Sequence, residues 1–575
     1  METRAAAATE GRRFRRELAL ICGLYFVATV FHSSWGLPNG NQTWAADSVA
    51  PMTPLAVAYK TFAENGFDSG YFYFKYPVGH QLLLAAATAP VVAIAYASGD
   101  LSKISTDYPF GFEHPDAYLA AMAMIARLLS ALFATGIVAL IGAIACRAYD
   151  ERAGIFAALA AAGCYPLLFY AHTSNVETAY LFWAMLALYG AIRGVEDARP
   201  SGLLLMGAAA AMAISTKEQI LGFLALLPLV VVTRQLIVAR TRNGLGRVVP
   251  AGTVGGALLA VAVWLGANAA FFNPSGFLNR IRFLTHTLPP EVRERYADYE
   301  FPLDFSTSWT FTDELTHIGK VLAAVVSSLG WPAAVVALAG VALLAVRRRP
   351  ELLYLLAAAA GYYLVSLRVL KQVELRYVMP WSLLAAIPAG ALLARMSARH
   401  RLGAAAAVAI TGFGILYSSE VLRMLADDAR YEAEAWMAPY LERGHSIEVY
   451  QSWTYLPRWE RQPSVHKPPT DAMSIVSVRE RQPDFIVISS KGKEGITMYP
   501  NPDWRDGRGM MLVREENLRM LEALEGGTLG YERVQRFERR LWVPRELITS
   551  LNPAIDIYRR AETSEPPPVV TTAAD

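Results

Sequence analysis

Long apolar runs recur from residue 17 to residue 420 of this chain. Each run has about 18–25 residues, which lets a helix cross the ~30 Å hydrocarbon core of a membrane. A membrane β-barrel would instead show alternating segments of about ten residues. With 54% hydrophobic residues, the chain is also more apolar than a typical soluble protein. The sequence therefore predicts a polytopic α-helical membrane protein.

The runs predict about eleven spans. They lie near residues 17–34, 118–145, 154–171, 176–194, 201–216, 218–238, 249–271, 319–346, 351–367, 377–395 and 402–419. Segment 81–98 is a further apolar run, but counting it as a span would move the arginine-rich connections outside, against the positive-inside rule. We therefore predict that 81–98 is a juxtamembrane or re-entrant element, which Pro90 also favours over an uninterrupted span.

This topology divides the chain into regions with different expected roles. We predict a cytoplasmic N-terminus (1–16), a multi-span membrane domain (17–420), a small extracytoplasmic α/β domain (421–562) and a disordered tail (563–575). The membrane domain has a large first external loop at 35–116, with juxtamembrane helices, and a second at 272–318. The strand-like runs SIEVYQ and DFIVISS and the helix-like EENLRMLEALEG lie in the α/β domain. The expected location is the plasma (inner) membrane.

Charge and cysteine content exclude two classes of protein. The net charge of +3 carries no nucleic-acid signature. Cys22, Cys146 and Cys164 all lie in or beside apolar runs and form no disulfide framework.

Two residues of the first loop are candidates for chemistry. Asp47 lies in an uncharged, tryptophan-containing stretch, where a carboxylate can have a raised pKa and act as a general base. Lys75 follows Tyr71-Phe72-Tyr73-Phe74, and a cation there could bind a phosphate. The alternatives are a solvated turn aspartate and an interfacial lysine that reaches for lipid headgroups.

Further polar clusters lie at the predicted ends of spans. Glu113, His114 and Asp116 could hold a divalent cation, although a helix start at Asp116 explains them as well. No cofactor is otherwise predicted. Other candidates for a polar cavity are His172, Asn175, Glu177, Lys217 and Glu218. A mutual ion pair of Lys217 with Glu218 is the alternative.

A last cluster precedes the span at 377–395. It contains Arg368, Lys371, Glu374 and Arg376, in an otherwise apolar third of the chain. Three cations suit a phosphate or pyrophosphate group, which arginine binds in bidentate fashion. A simple topological anchor is the alternative.

Short motifs in a fixed order resemble the glycosyltransferase C superfamily. They are Ala46-Asp47, Lys75-Tyr76-Pro77-Val78-Gly79, Arg127-Leu128-Leu129-Ser130, Ser215-Thr216-Lys217, Asn273-Pro274 and Arg376-Tyr377-Val378-Met379-Pro380. The chain is most similar to the branch of protein O-mannosyltransferases and lipid A aminoarabinose transferases, over roughly residues 15–400. It departs from many relatives at Ser48, where they carry a second acid, and at Val78, where they carry proline.

The resemblance implies transfer of a sugar from an undecaprenyl- or dolichyl-phosphate donor to a hydroxyl of a protein, lipid or glycan, with inversion, at the extracytoplasmic face. Asp47 matches the family's essential first-loop acid and Lys75 its phosphate-contacting lysine. We expect Lys217, Arg376, Arg368 and Lys371 to assist at the phosphate. The expected substrate contacts are Tyr76, His80, Glu113, Asp116, His172, Asn175 and Glu177.

Two other classes of function stay open. A flippase of lipid-linked sugars would show internal repeats and midplane charges in broken helices, and the sequence shows no convincing repeat. A non-catalytic relative would bind through its C-terminal domain. The expected partners are the bilayer, a lipid-linked sugar and an acceptor.

Overall fold

The computed structural model describes residues 2–561 apart from 39, 65, 103, 106, 242–250, 294–309, 371–372, 451, 470–471, 492–514, 543–547 and 549. A bundle of apolar helices leads into a small α/β unit at the C-terminal end. The predicted tail, 563–575, lies outside the described residues.

The first half of the bundle extends to residue 214. Its helices are α1 (Glu2–Phe31), α2 (Thr53–Phe62), α3 (Val78–Ala97), α4 (Pro115–Ala148), α5 (Glu151–Ala162), α6 (Tyr165–Ala171), α7 (Glu177–Glu196) and α8 (Pro200–Ile214). A short 3₁₀ turn at Glu218–Ile220 follows α8.

The second half continues the bundle. Its helices are α9 (Leu221–Ala225), α10 (Leu227–Thr241), α11 (Ala251–Ala267), α12 (Pro274–Leu284), α13 (Pro290–Arg293), α14 (Phe311–Leu329), α15 (Trp331–Val346), α16 (Glu351–Tyr362), α17 (Arg368–Leu370), α18 (Leu375–Arg399) and α19 (Arg401–Ala426). Small residues allow the central helices to approach closely, as in other membrane bundles. A Cβ at Gly390 of α18 would lie 2.5 Å from the Ala153 carbonyl oxygen of α5.

The prediction of several membrane-spanning helices is confirmed. Among the described residues, seven helices are long and apolar enough to cross a membrane, or up to nine if each bent pair is one span. The apolar helices Pro200–Ile214 and Gly252–Ala267 are shorter and match the predicted spans 201–216 and 249–271. The chain is therefore a polytopic helical membrane protein.

Segment 81–98 is helical in the structure. It forms the continuous helix α3, long and apolar enough to cross a membrane, with Pro90 in its interior. Pro90 does not interrupt this helix, and the juxtamembrane or re-entrant placement of the segment stays a prediction. Proline is tolerated inside apolar helices when neighbouring groups satisfy the freed backbone carbonyl.

Two predicted spans are instead sharply bent. The run 319–346 divides into α14 and α15, which meet at 116°. Gly330 lies between them with φ 77°, a left-handed conformation that ends α14. The run 154–171 divides into α5 and α6, which meet at 65°.

The predicted C-terminal α/β unit is confirmed. It contains helices α20 (Ala429–Glu442), α21 (Ile475–Arg481) and α22 (Glu515–Glu525) and strands β1 (Ile447–Val449), β2 (Val465–His466), β3 (Phe485–Ser489), β4 (Tyr531–Phe537) and β5 (Ile555–Arg560). The strand order is β2-β1-β3-β5-β4. The first three strands pair in parallel, whereas β5 is antiparallel to β3 and β4. The fully buried β3 explains the apolar run DFIVISS.

Candidate active site

Asp47 lies between two cations that come from distant parts of the chain. Its Oδ1 is 2.8 Å from Lys75 Nζ, and its Oδ2 accepts a hydrogen bond from Arg376 Nη1. Arg376 is in the first turn of α18, and its Nε lies 2.7 Å from Glu374 Oε2. The Asp47 side chain is 35% exposed, so a ligand can reach the group. We call Asp47, Lys75 and Arg376 the rim group.

The electrostatics of Asp47 correct one expectation from the sequence. Burial raises the pKa of the Asp47 carboxyl, but the charges of Arg376 and Lys75 lower it more, so this pKa lies below its ordinary value. The sequence suggested a raised pKa, because neither cation is a sequence neighbour of Asp47. The pair of cations outweighs the desolvation that the tryptophan-containing stretch suggested.

The turn between α6 and α7 holds the backbone around Asp47. Asn175 Nδ2 donates to the Ala46 carbonyl at 2.8 Å, and Ser174 Oγ donates to the Val49 carbonyl at 2.9 Å. Asp47 itself has φ 58°, a left-handed conformation that is uncommon for a residue other than glycine. Asn175 thus adjoins the rim group through the backbone.

His172 has a different environment from Asn175. Its Nδ1 is 2.7 Å from the Leu168 carbonyl oxygen and its Nε2 is 3.3 Å from that of Ala28. Burial lowers the pKa of His172 to about 4, so the ring is neutral at physiological pH. These contacts are to backbone carbonyls and tie the turn to α1.

The segment that carries Lys75 is held by α12. Arg280 Nη1 donates to the carbonyls of Tyr73 at 3.0 Å and Phe74 at 2.5 Å. Its Nη2 lies 2.7 Å from Glu218. The sequence reading missed Arg280, although it identified Asn273-Pro274, the motif that starts α12. A basic residue two helical turns after that motif was the available signal.

Asn273 adds a second clamp on the same segment. Its Oδ1 accepts from the Gly70 amide at 2.9 Å, and its Nδ2 donates to the Tyr71 carbonyl at 2.7 Å. The Asn273-Pro274 motif therefore has a structural role, because Asn273 fixes the backbone that leads to Lys75.

A second acid–cation group lies deeper in the protein. Lys217 Nζ is 3.0 Å from Glu177 Oε1 and lies over the rings of Tyr76, Tyr180 and Tyr377 at 5.8, 5.3 and 5.4 Å from their centroids. The Glu177 side chain is 0% exposed. Its Oε2 has no hydrogen-bond partner among the described residues. We call Lys217 and Glu177 the buried pair.

The pairing of Lys217 with Glu177 also excludes the ion pair that the sequence offered as an alternative. Glu218 turns towards α12 and pairs with Arg280. Tyr76 connects the rim group with the buried pair, since Lys75 Nζ is also 5.7 Å from its ring centroid.

The start of α3 packs tightly against the end of α8. A Cβ at Gly79 would lie 2.8 Å from the Ser215 carbonyl oxygen, so only glycine permits this approach. His80, the next residue, is buried, and its Nδ1 has no hydrogen-bond partner within the described part of the chain. The two motifs that contain Gly79 and Ser215 thus meet in space.

Three predicted residues lie in other surroundings. Asp116 pairs with Arg461 of the α/β unit at 2.6 Å, and Arg368 pairs with Glu314 at 3.0 Å. Glu113 lies near His114 and Asp100, whose ligand atoms are within 4.8 Å of one another, so Asp100 and not Asp116 completes that exposed cluster. Lys371 lies outside the described residues.

One part of the chain is similar to a known protein family. Residues 120–266 match the family model of dolichyl-phosphate-mannose-protein mannosyltransferases. No curated protein matches the sequence.

Several solved structures are similar at low identity. ArnT from Cupriavidus metallidurans in the apo state is 17% identical, with 98% of this chain and 100% of that chain covered and a TM-score of 0.48. The Archaeoglobus fulgidus oligosaccharyltransferase in complex with zinc and sulfate is 14% identical, with 83% and 69% covered and a TM-score of 0.41. The S. cerevisiae Pmt1-Pmt2 complex is 16% identical, with 51% and 36% covered and a TM-score of 0.29.

The match over residues 120–266 shows that this part of the chain is similar to a family of dolichyl-phosphate-mannose-protein mannosyltransferases, in agreement with the resemblance that the ordered motifs indicated.

Proposed function

We propose that this protein transfers a sugar from a polyprenyl-phosphate donor to an acceptor hydroxyl at the extracytoplasmic membrane face, with Asp47 as the base. The observation that carries the proposal is the rim group, in which one carboxylate lies between two cations at a partly exposed site. The family that the chain matches is named for a dolichyl-phosphate-linked sugar, which has the anionic group that such cations bind.

The donor phosphate would compete with Asp47 for its two cations. In the donor-free arrangement both oxygens of Asp47 are paired, which makes the carboxylate a weak base. A phosphate that binds Lys75 and Arg376 offers these cations a second anion and frees an oxygen of Asp47. Arg376 is suited to this exchange because its fork can hold two oxygens at once.

The chemical step then needs few parts. Asp47 accepts the proton of the acceptor hydroxyl while that oxygen forms a bond to C1 of the sugar. The bond from C1 to the phosphate oxygen breaks, and the phosphate keeps the electron pair. The transition state resembles an oxocarbenium ion, as in glycoside hydrolysis, and attack opposite to the leaving group inverts C1. Lys75 and Arg376 stabilise the charge that develops on the leaving phosphate, so no general acid is required.

The test is sugar transfer by the purified protein in detergent with a panel of polyprenyl-phosphate sugars. Release of free polyprenyl phosphate is compared for wild type, Asp47→Asn and the control Asp116→Asn, whose carboxylate pairs with Arg461 on the surface. Asp47→Asn should lower kcat by about 10²–10⁴, the size of a general-base contribution. Asp116→Asn should stay within about twofold of wild type.

A second measurement separates the base from a structural role. Asp47→Asn should bind undecaprenyl phosphate at least as tightly as wild type, because it removes the anion that competes for Lys75 and Arg376. Equal turnover of Asp47→Asn and wild type would exclude Asp47 as the base. No release by wild type with any donor in the panel would contradict glycosyl transfer itself.

A further inference from the structure

The α/β unit contacts the part of the first loop that leads to Asp47. Tyr431 OH accepts a hydrogen bond from the Gly36 amide at 2.8 Å, and Arg458 Nη1 donates to the Leu37 carbonyl at 2.7 Å. Arg458 is itself fixed by Glu434, at 2.6 Å between Nη2 and Oε2. Both residues that hold this backbone thus belong to the C-terminal region, 395 and 421 residues away in sequence.

Two tryptophans of the same segment are buried under an arginine. Trp35 is 2% exposed and Trp44 is 0% exposed. The guanidinium carbon of Arg430 lies 4.1 Å from the Trp44 ring centroid, close enough for a cation–π contact. Trp35 Nε1 donates to Asp428 Oδ2 at 3.0 Å, and the same oxygen pairs with Arg430 at 2.7 Å.

This contact is more than an incidental docking of two surfaces. The side chains of Arg430 and Asp428 are 0% exposed and pair with each other, and Trp35 adds a hydrogen bond to Asp428, so the tryptophans cover this ion pair. Separating the two parts would expose this ion pair, break the hydrogen bond from Trp35 and remove two large aromatic side chains from their packing. Trp35 and Trp44 therefore tie the chain that leads to Asp47 to the α/β unit.

The opposite side of the segment is held by the helical bundle. Arg127 of α4, 0% exposed, donates from Nη1 to the Ser33 and Trp35 carbonyls at 2.6 Å each. Asn175 holds Ala46, one residue before Asp47. Trp44 is only three residues before Asp47. The backbone that leads to Asp47 is thus held by hydrogen bonds from the bundle on one side and from the α/β unit on the other.

We propose that the α/β unit positions Asp47 for catalysis. Tyr431 and Arg458 are the positioning residues, and they act on Asp47 through the backbone that they hold at Gly36 and Leu37. The inference rests on the proposed function of Asp47 as the base. A displacement of about 1 Å at a reacting group can cost about 10²-fold in rate. The hydrogen bonds to Gly36 and Leu37 prevent such a displacement.

Two substitutions remove these hydrogen bonds without emptying the core. Tyr431→Phe removes the hydroxyl that accepts from Gly36 and keeps the ring against Trp44. Arg458→Gln removes the guanidinium that donates to the Leu37 carbonyl and replaces it with a shorter, uncharged side chain, and Arg458→Lys restores a charged donor of similar reach. The matched control is Arg481→Gln, which breaks the pair with Glu448 inside the same unit.

Two measurements on the full-length protein test the proposal. We expect Tyr431→Phe and Arg458→Gln to lower kcat about 10- to 100-fold, with the donor KM within about threefold of wild type, because the phosphate cations are untouched. Amide hydrogen exchange over residues 36–49 should rise in both variants. Arg458→Lys should recover most of kcat, and Arg481→Gln should change neither quantity.

The two readouts separate this inference from the proposed function. Unchanged kcat and unchanged exchange over 36–49 in both variants would overturn it, as would an equal loss of kcat in the control. If wild type transfers no sugar, the proposed function fails, but the exchange measurement still reports whether the α/β unit holds the segment. Faster exchange with unchanged kcat would also overturn the positioning role.

Discussion

The rim group and the buried pair use the same kinds of side chain in opposite ways. In the rim group a 35% exposed carboxylate has a cation at each oxygen. In the buried pair a fully buried carboxylate has one cation, and its other oxygen lacks a hydrogen-bond partner among the described residues. Exposure decides what each can do. An open ion pair can exchange a partner for a ligand, whereas a buried one would leave an unpaired charge in a medium of low dielectric.

The largest expected effect comes from breaking the buried pair on one side. Glu177→Gln should destabilise the protein by about 3–5 kcal/mol, since it leaves the Lys217 ammonium buried without its counter-charge. Thermal unfolding in detergent measures the effect. The double variant Glu177→Gln/Lys217→Gln should recover much of the stability. A single variant as stable as wild type would show that the three tyrosine rings alone can hold Lys217.

The next largest effect is on the donor KM and tests which arginine binds the donor phosphate. Arg376→Gln should raise the donor KM about 10- to 100-fold, because hydrogen bonds to charged groups contribute about 1.5–3 kcal/mol. Its matched control is Arg368→Gln, which removes a cation of the same sequence cluster that pairs instead with Glu314. Steady-state kinetics with a varied donor measure both. An equal rise in the donor KM for the two variants would mean that Arg368 also binds the phosphate, and it would contradict the different roles assigned to Arg368 and Arg376.

A smaller effect should follow from pushing the rim group and the buried pair apart. Gly79→Ala places a methyl group 2.8 Å from the Ser215 carbonyl oxygen, between the motif with Lys75 and the motif with Lys217. Such overpacking typically costs about 1–3 kcal/mol. The control Gly319→Ala adds a methyl group to α14 with no other atom within 4 Å. It should be neutral or stabilising in the same unfolding assay, and equal destabilisation of both variants would contradict the packing argument.

The smallest effect expected is a shift in pH dependence. Although burial raises the pKa of Asp47, Arg376 and Lys75 lower it more, with Glu374 as the nearby anion on Arg376. A base with a lowered pKa stays ionised as the pH falls, so the acid limb of kcat/KM should lie below the usual carboxylate range. Lys75→Gln removes one of the two cations and should move this limb to higher pH.

The control for the pH profile is another lysine of the same loop. Lys60 lies over the Tyr71 ring, 5.7 Å from its centroid. Lys60→Gln should leave the acid limb in place. An acid limb that does not move in Lys75→Gln would mean that Lys75 does not set the ionisation of Asp47.

Short motifs predicted part of this site because each contains its own functional side chain. Asp47, Lys75 and Arg376 were identified as candidates from the sequence, and the structure places them together. Their roles in catalysis stay predictions. Arg280 was missed because it acts on backbone carbonyls more than two hundred residues away, and no local pattern marks such a contact. Tyr431 and Arg458 were missed because they too contact backbone groups that are distant in sequence.

The sequence by itself determined the class of fold, because runs of apolar residues as long as a bilayer is thick leave few alternatives to a helical bundle. It also determined which side chains could do chemistry, since charged groups among apolar helices are costly and few. Only the tertiary structure decided which charges pair. It gave Asp47 two cations and a lowered pKa, paired Lys217 with Glu177 instead of Glu218, and put the C-terminal unit against the Asp47 segment. Ion pairs depend on distance in space, which the order of residues along the chain does not fix.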